Sequence, residues 1–272
     1  MNKHFGFVVL GVVTFVLAIA IAACSSINLN AEFSTSTPQN QPVALTISAA
    51  ASLTDVMEEV RLAWQQERPD VVLTFNFGSS GSLQAQIEQG APVDIFVSAA
   101  SKQMDALQKQ GLILTDTRKN LLTNQVVLIE PRNASALKDF FGLRNVTVQR
   151  IAIGDPVSVP VGKYSQEVLT SLGIFEAVKP KLILTKDVRQ VLSYVETGNV
   201  DAGIVYLTDA KGSEQVRIVA IAPEKSHSPV AYPIAVLRDS KNIDAAQKFE
   251  QFLFTQQAKA VFQKHGFGIA EN

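Results

Sequence analysis

From Val43 onward the chain alternates short β-branched runs with stretches of helical periodicity, and this alternation restricts the fold more than any other feature. The runs suited to strands are Ala44–Ala49, Val71–Asn76, Ile95–Ser98, Gln125–Glu130, Arg150–Ile153, Lys181–Leu184, Ala202–Tyr206, Val216–Ile221 and Ala231–Leu237. Between them apolar residues recur at i, i+3, i+4 and i+7, the spacing of one helix face. Leu53, Val56, Met57, Val60 and Trp64 form one such set, and Leu83 with Ile87 a second. Val188, Val191, Leu192 and Val195 form a third, and Ile243, Ala246, Phe249 and Leu253 a fourth. Strands separated by helices pair in parallel by crossover, so the expectation is an α/β fold of mostly parallel sheets flanked by helices. The polar segments Leu122–Asn124 and Ala222–Pro229 are candidates for crossings between two lobes, although periodicity alone does not choose between one domain and two.

The N-terminus is of a different kind. Only Lys3 and His4 can carry side-chain charge there, and Phe5 to Ala23 is an apolar run without an acid, the layout of a signal peptide over residues 1–23. Ile21-Ala22-Ala23-Cys24 resembles the lipobox of bacterial lipoproteins, in which cleavage leaves the cysteine as the lipidated first residue. A single transmembrane anchor is the competing interpretation, because about 19 apolar residues nearly span a bilayer. Either way the body lies outside the cytoplasm. Residues 24–42, rich in Ser, Thr, Asn, Gln and Pro, are expected to be a flexible tether with a lipid anchor at Cys24.

Composition narrows the chemistry. Lys+Arg 24 against Asp+Glu 25 leaves a formal charge of -1, so no global basic field is available to gather nucleic acid. One cysteine and three histidines leave little for a disulfide framework or a metal cage. No phosphate loop, H-E-x-x-H or EF-hand spacing is present, and Gly78-Ser79-Ser80-Gly81-Ser82 lacks the closing glycine of a nucleophile elbow. Catalysis has no positive support.

Four places remain where a strand ends, a small or polar turn follows and a helix begins: Ser48–Asp55, Phe77–Leu83, Gly154–Tyr164 and Thr185–Arg189. Helix N-termini carry unpaired N–H groups and the positive end of the macrodipole, so each is a potential anion site. In an open α/β sheet such turns lie at the carboxyl ends of the strands, where ligands bind. The competing interpretation for any one turn is a plain helix cap. The Gly78–Ser82 cluster is the strongest, since its glycines let backbone approach a ligand closely.

Ser48-Ala-Ala-Ala-Ser-Leu-Thr-Asp55, Phe77-Gly-Ser-Ser-Gly-Ser-Leu83 and Gly90-Ala-Pro-Val-Asp-Ile-Phe-Val-Ser-Ala99 resemble the molybdate-binding proteins of bacterial ABC importers. Gly154-Asp-Pro, Val159-Pro-Val-Gly-Lys-Tyr164, Asp187-Val-Arg189, Gly203-Ile-Val-Tyr206 and Tyr232-Pro-Ile-Ala-Val236 continue the likeness in family order to about Phe267. The resemblance implies the two-lobed periplasmic binding fold (type II), with residues 43–124 and 229–272 in one lobe, 125–228 in the other and two crossings as a hinge. It implies a monomeric, non-enzymatic binding protein without a cofactor, which delivers molybdate or tungstate to a permease and meets the membrane only through its lipid anchor. The oxyanion contacts it implies are the hydroxyl and N–H of Ser52 and of Ser80, the N–H groups of Ala99, Val161 and Val188, and the Tyr206 phenol.

Two departures from the family pattern are modest: Val161 replaces a smaller residue, which is tolerable if only its backbone donates, and Ala100 replaces a frequent Asp beside the site. Asp187, beside Val188, would repel a dianion unless turned away as an N-cap, which is the expectation. All six implied positions are neutral and offer mainly donors, which suits a fully ionised tetrahedral anion better than one still carrying a proton. Sulfate is thus an alternative ligand. A serine hydrolase on a similar fold and an envelope sensor are alternatives of other classes.

Overall fold

The computed structural model describes residues 42–134 and 137–271; the leader, Cys24 and the tether up to Gln41 lie outside the described residues. The chain opens with β1 (Val43–Ala50), a 3₁₀ turn (Ala51–Leu53), α1 (Thr54–Glu67), β2 (Val71–Gly78), α2 (Ser80–Glu88), β3 (Ile95–Val97), α3 (Ser101–Lys109) and β4 (Lys119–Thr123). A second series follows: β5 (Val126–Pro131), β6 (Ile151–Gly154), α4 (Pro160–Ser171), α5 (Phe175–Val178), β7 (Leu182–Thr185), α6 (Val188–Glu196), β8 (Ala202–Tyr206), α7 (Leu207–Lys211) and β9 (Val216–Ile221). The chain ends with β10 (Ala231–Val236), α8 (Ile243–Leu253), α9 (Gln256–Lys264) and β11 (Gly268–Ile269).

These strands form two sheets, ordered β11-β4-β10-β3-β1-β2 and β7-β6-β8-β5-β9. The chain passes from the first sheet to the second between Thr123 and Val126, and returns between Ile221 and Ala231.

Both sheets are mixed, which corrects the expectation of mostly parallel ones. Parallel pairing is confined to β2-β1-β3 and β7-β6-β8, whereas β10 and β5 run antiparallel to both of their neighbours. The reason lies in the passages between sheets. A strand entered by crossover starts at the far edge and ends facing the other sheet. β5 and β10 are entered directly from the other sheet, so they start at that edge and run the opposite way.

Burial follows position in the sheet. The central strands β3, β6 and β8 are buried along their whole length, as expected of strands covered on both faces. The edge strand β2 alternates buried and exposed over Val71–Thr74. Helices seal the faces through the predicted stripes: Val188, Val191, Leu192 and Val195 of α6 are all buried, each contributing about 1.5–3 kcal/mol relative to exposure. On the first sheet Trp64 of α1 meets Phe249 and Phe252 of α8 edge-on, both with ring centroids 5.2 Å away.

The consequence for function is geometric. β1, β2, β3, β6, β7 and β8 each end toward the space between the sheets, and a helix or 3₁₀ turn starts just beyond each end.

Candidate functional site

Those starts converge. One small cavity is lined by Ala50, Ala51 and Ser52 after β1, by Gly78 to Ser80 after β2 and by Ala99 after β3. Facing them are Val159 to Val161 at the start of α4, Asp187 and Val188 at the start of α6, and Tyr206 at the end of β8. All six positions singled out in the sequence, Ser52, Ser80, Ala99, Val161, Val188 and Tyr206, therefore share one cavity, and all are buried. The cavity is tight, about 10 Å³, room for a single water. A tetrahedral ion enters only if the walls part.

Local sequence explains how the helix starts reach this point. Gly162 packs the first turn of α4 on the end of β6, where any Cβ would collide with the carbonyl of Gly154. Gly81 brings α2 against the loop before α4: its N–H donates to the Ser158 carbonyl over 2.9 Å, and a Cβ there would lie 2.5 Å from that oxygen. This hydrogen bond joins the two halves beside the cavity.

The electrostatics are those of neutral donors. No Lys, Arg or His belongs to the lining. Its one acid, Asp187, is turned to its own helix as expected: it is the N-cap of α6, and Oδ1 accepts from the Gln190 N–H over 2.9 Å. Val161 and Val188 sit in the first turns of α4 and α6, whose N–H groups have no acceptor within the helix. The Ala99 N–H donates to Ser80 Oγ over 2.9 Å, so this amide is engaged by its neighbour and Ser80 is left with its own proton to give. Ser52 Oγ lies 2.9 Å from the Tyr232 hydroxyl.

Tyr206 is the most telling of the six. Its hydroxyl is buried and has no hydrogen-bond partner. Burial, and then the neighbouring Tyr232, Tyr164 and Asp209, push its pKa well above the ordinary phenol value, so it stays a neutral donor. An orphaned buried donor costs about 1–3 kcal/mol, a cost relieved by any acceptor placed in the cavity.

Sequence reasoning missed three residues around this cavity. Tyr232 and Asn124 form a hydrogen-bonded pair behind Ser52, with Asn124 Nδ2 3.3 Å from the Tyr232 oxygen. Asp209 lies behind Tyr206, and its Oδ2 accepts the Tyr206 N–H over 3.3 Å. Burial pushes Asp209 up to about 7, partly opposed by Arg189. The available signal was a tyrosine or a carboxylate inside an otherwise apolar stretch, since each needs a polar partner when buried.

A neighbouring cavity of about 150 Å³ shares Ser52 and is lined by charged groups, among them Asp55, Arg189, Asp209, Lys211, Lys264 and His265. Its charges largely cancel. Arg189 pairs with Asp55, and Glu59 pairs with Lys264 at 2.8 Å and with His265 at 2.9 Å.

The model of the bacterial extracellular solute-binding protein family matches residues 45–268. The chain belongs to that family. It is 41% identical over 98% of its length to YvgL of Bacillus subtilis, named as a candidate ABC transporter substrate-binding lipoprotein and covered over 99% of its own length. It is 40% identical to the molybdate-binding protein ModA of Escherichia coli, over 83% of this chain and 89% of that one. The periplasmic molybdate-binding protein of Azotobacter vinelandii superposes with a TM-score of 0.75 over 84% of this chain and all of that one; at 22% identity this shows the fold, that of the periplasmic binding proteins. Solute-binding proteins of this family work outside the cytoplasm, and no helix among the described residues is long and apolar enough to cross a membrane.

Proposed function

We propose that this solute-binding protein captures molybdate, with tungstate as its close competitor, in the cavity between the two sheets and delivers it to an ABC permease. The observation that carries the reading is the buried, unpartnered Tyr206 hydroxyl in a cavity walled by helix starts and containing no cation. Ser52, Ser80, Val161, Val188 and Tyr206 donate to the anion, and Ala99 acts through Ser80 in the arrangement described here. Each charge-assisted bond of this kind contributes about 1.5–3 kcal/mol, so five or six suffice once association costs are subtracted. The name carried by the Escherichia coli relative supports molybdate over sulfate.

In this account residues 43–124 with 229–272 and residues 125–228 are lobes hinged at the two passages between sheets. The anion touches both, so it favours the closed form over the open one. No reaction and no cofactor are involved. The chain acts as a monomer held at the outer face of the membrane through Cys24, as the lipoprotein name of its Bacillus relative supports.

Thermal unfolding with molybdate, tungstate, sulfate and phosphate tests the ligand. At a hundred times its dissociation constant the true ligand stabilises by about 2.7 kcal/mol. Stabilisation by phosphate alone, or by none of the four, refutes the assignment. For the anchor, Cys24→Ala releases the processed protein from membranes while leaving its ligand binding intact; retention on the membrane after processing refutes it.

A further inference from the structure

We infer that Asn124 and Tyr232 fix the Ser52 hydroxyl as a donor, and so make the cavity reject tetrahedral anions that still carry a proton. The inference rests on the oxyanion reading of the cavity and goes beyond it by naming two specificity-determining residues that lie behind the contact groups.

The direction of each proton follows from the hydrogen-bond chain. The Gln125 N–H donates to Asn124 Oδ1 over 2.9 Å, which settles the orientation of the amide. Asn124 Nδ2 therefore carries the protons, and it donates to Thr208 Oγ1 at 2.9 Å and to the Tyr232 oxygen at 3.3 Å. An amide nitrogen only donates, so Tyr232 is the acceptor in that bond. The Tyr232 side chain is fully buried, and its own proton needs an acceptor. Among the described residues the remaining partner of this hydroxyl is Ser52 Oγ, 2.9 Å away. Tyr232 donates, Ser52 accepts, and the Ser52 proton is left free to point at a ligand.

Ser80 is set by the same logic through a different group. The Ala99 N–H has one proton and gives it to Ser80 Oγ, which turns the Ser80 proton outward as well. Both hydroxyls would otherwise be free to rotate and offer a lone pair. With one lone pair of each hydroxyl engaged from behind, turning the second toward a ligand's own O–H would leave the serine proton without an acceptor. That mismatch is costly in a buried site, whereas a fully ionised anion meets only donors.

The chain also spans the molecule. Asn124 lies in the first passage between sheets, Tyr232 is near the start of β10 just after the second, and Thr208 is in the first turn of α7, which follows Tyr206. The direction of the Ser52 proton is thus tied to the two segments about which the lobes turn.

The test compares molybdate with phosphate under mildly alkaline conditions, where both are dianions and only phosphate carries a proton. Calorimetric titration of the wild-type protein is expected to show molybdate bound far more tightly. In Tyr232→Phe the Ser52 hydroxyl is released, so molybdate affinity falls about tenfold, the scale of one hydrogen bond to a charged group, while phosphate affinity holds or rises. Asn124→Asp, which turns the donor into an acceptor and draws the Tyr232 proton away from Ser52, shrinks the molybdate-to-phosphate ratio in the same direction and carries the test if the first variant does not fold. In a Ser52→Ala background, Tyr232→Phe leaves the ratio where Ser52→Ala puts it. An unchanged ratio in the single variants, or an equal further change in the Ser52→Ala background, overturns the inference while leaving the oxyanion reading standing. Failure of the wild type to bind molybdate overturns that reading itself.

Discussion

Gly81→Ala separates binding from folding. The added Cβ would sit 2.5 Å from the Ser158 carbonyl oxygen and 2.8 Å from Ser158 Cα, on the opposite side of the cavity. Contacts this short force the two halves apart, and overpacking of this kind costs about 1–3 kcal/mol. The cost falls on the closed form alone, because parting the lobes removes the clash. Closure is a conformational equilibrium linked to binding, so the penalty appears as a loss of about 5- to 150-fold in apparent affinity for molybdate. The ligand-free open form gains, since alanine is the better helix former by up to about 1 kcal/mol and Gly81 lies in the first turn of α2. Titration calorimetry paired with thermal unfolding in the absence of ligand measures both effects. Unchanged affinity, or a drop in ligand-free stability as large as the loss in binding free energy, would refute the argument that Gly81 is the point where the halves meet on closure.

Three further outcomes follow from the same groups. Tyr206→Phe removes a donor to the anion, so molybdate binding weakens by about 1–3 kcal/mol while the melting temperature of the ligand-free open form, in which water reaches that hydroxyl, holds; unchanged affinity by titration would show that the phenol does not touch the ligand. Ser80→Ala strands the Ala99 N–H and removes a donor to the ligand, so both stability and affinity fall by about 1–3 kcal/mol, the first seen in urea unfolding and the second by titration. Asp209 is raised in the folded state from a usual 3.8 to about 7, so its contribution to stability is fully present below pH 3.8 and is lost as the pH climbs to 7. Asp209→Asn abolishes that slope and is the more stable form near neutrality; parallel urea-midpoint profiles for the two proteins would show that Asp209 is not the titrating group.

How far the sequence could be read depended on length and on separation. The nine strands expected from β-branched runs all form, because each carries a mainly apolar run of its own. β4, Lys-Asn-Leu-Leu-Thr, offers only two apolar residues, and the two-residue β11 has no pattern at all. α3 and α9 were missed for the same reason, burying little more than Met104 and Leu107 in one case and Ala258 and Phe262 in the other. Sheet direction was misjudged at β5 and β10 because direction is set by where the chain crosses between sheets, which local periodicity does not record.

Around the cavity, the helix starts were legible one at a time through their Ser, Gly and Pro residues. Their meeting was not: Ser52 and Tyr206 are far apart in the chain, and only the paired sheets bring them to one wall. The turned-away Asp187 was anticipated from its place before α6, an N-cap position with a local cause. The Asn124-Tyr232-Ser52 chain had no such signature, since it joins three segments by hydrogen bonds that no local spacing predicts.

The central claim is that neutral donors from both sheets enclose one dianion. A crystal structure of the tungstate complex tests it most directly, because tungsten marks its own position by anomalous scattering. The account predicts one strong peak within hydrogen-bonding reach, through the ligand oxygens, of Ser52, Ser80 and Tyr206, with no Lys or Arg beside it. A peak in the neighbouring cavity, against Arg189, Lys211 and Lys264, would contradict it.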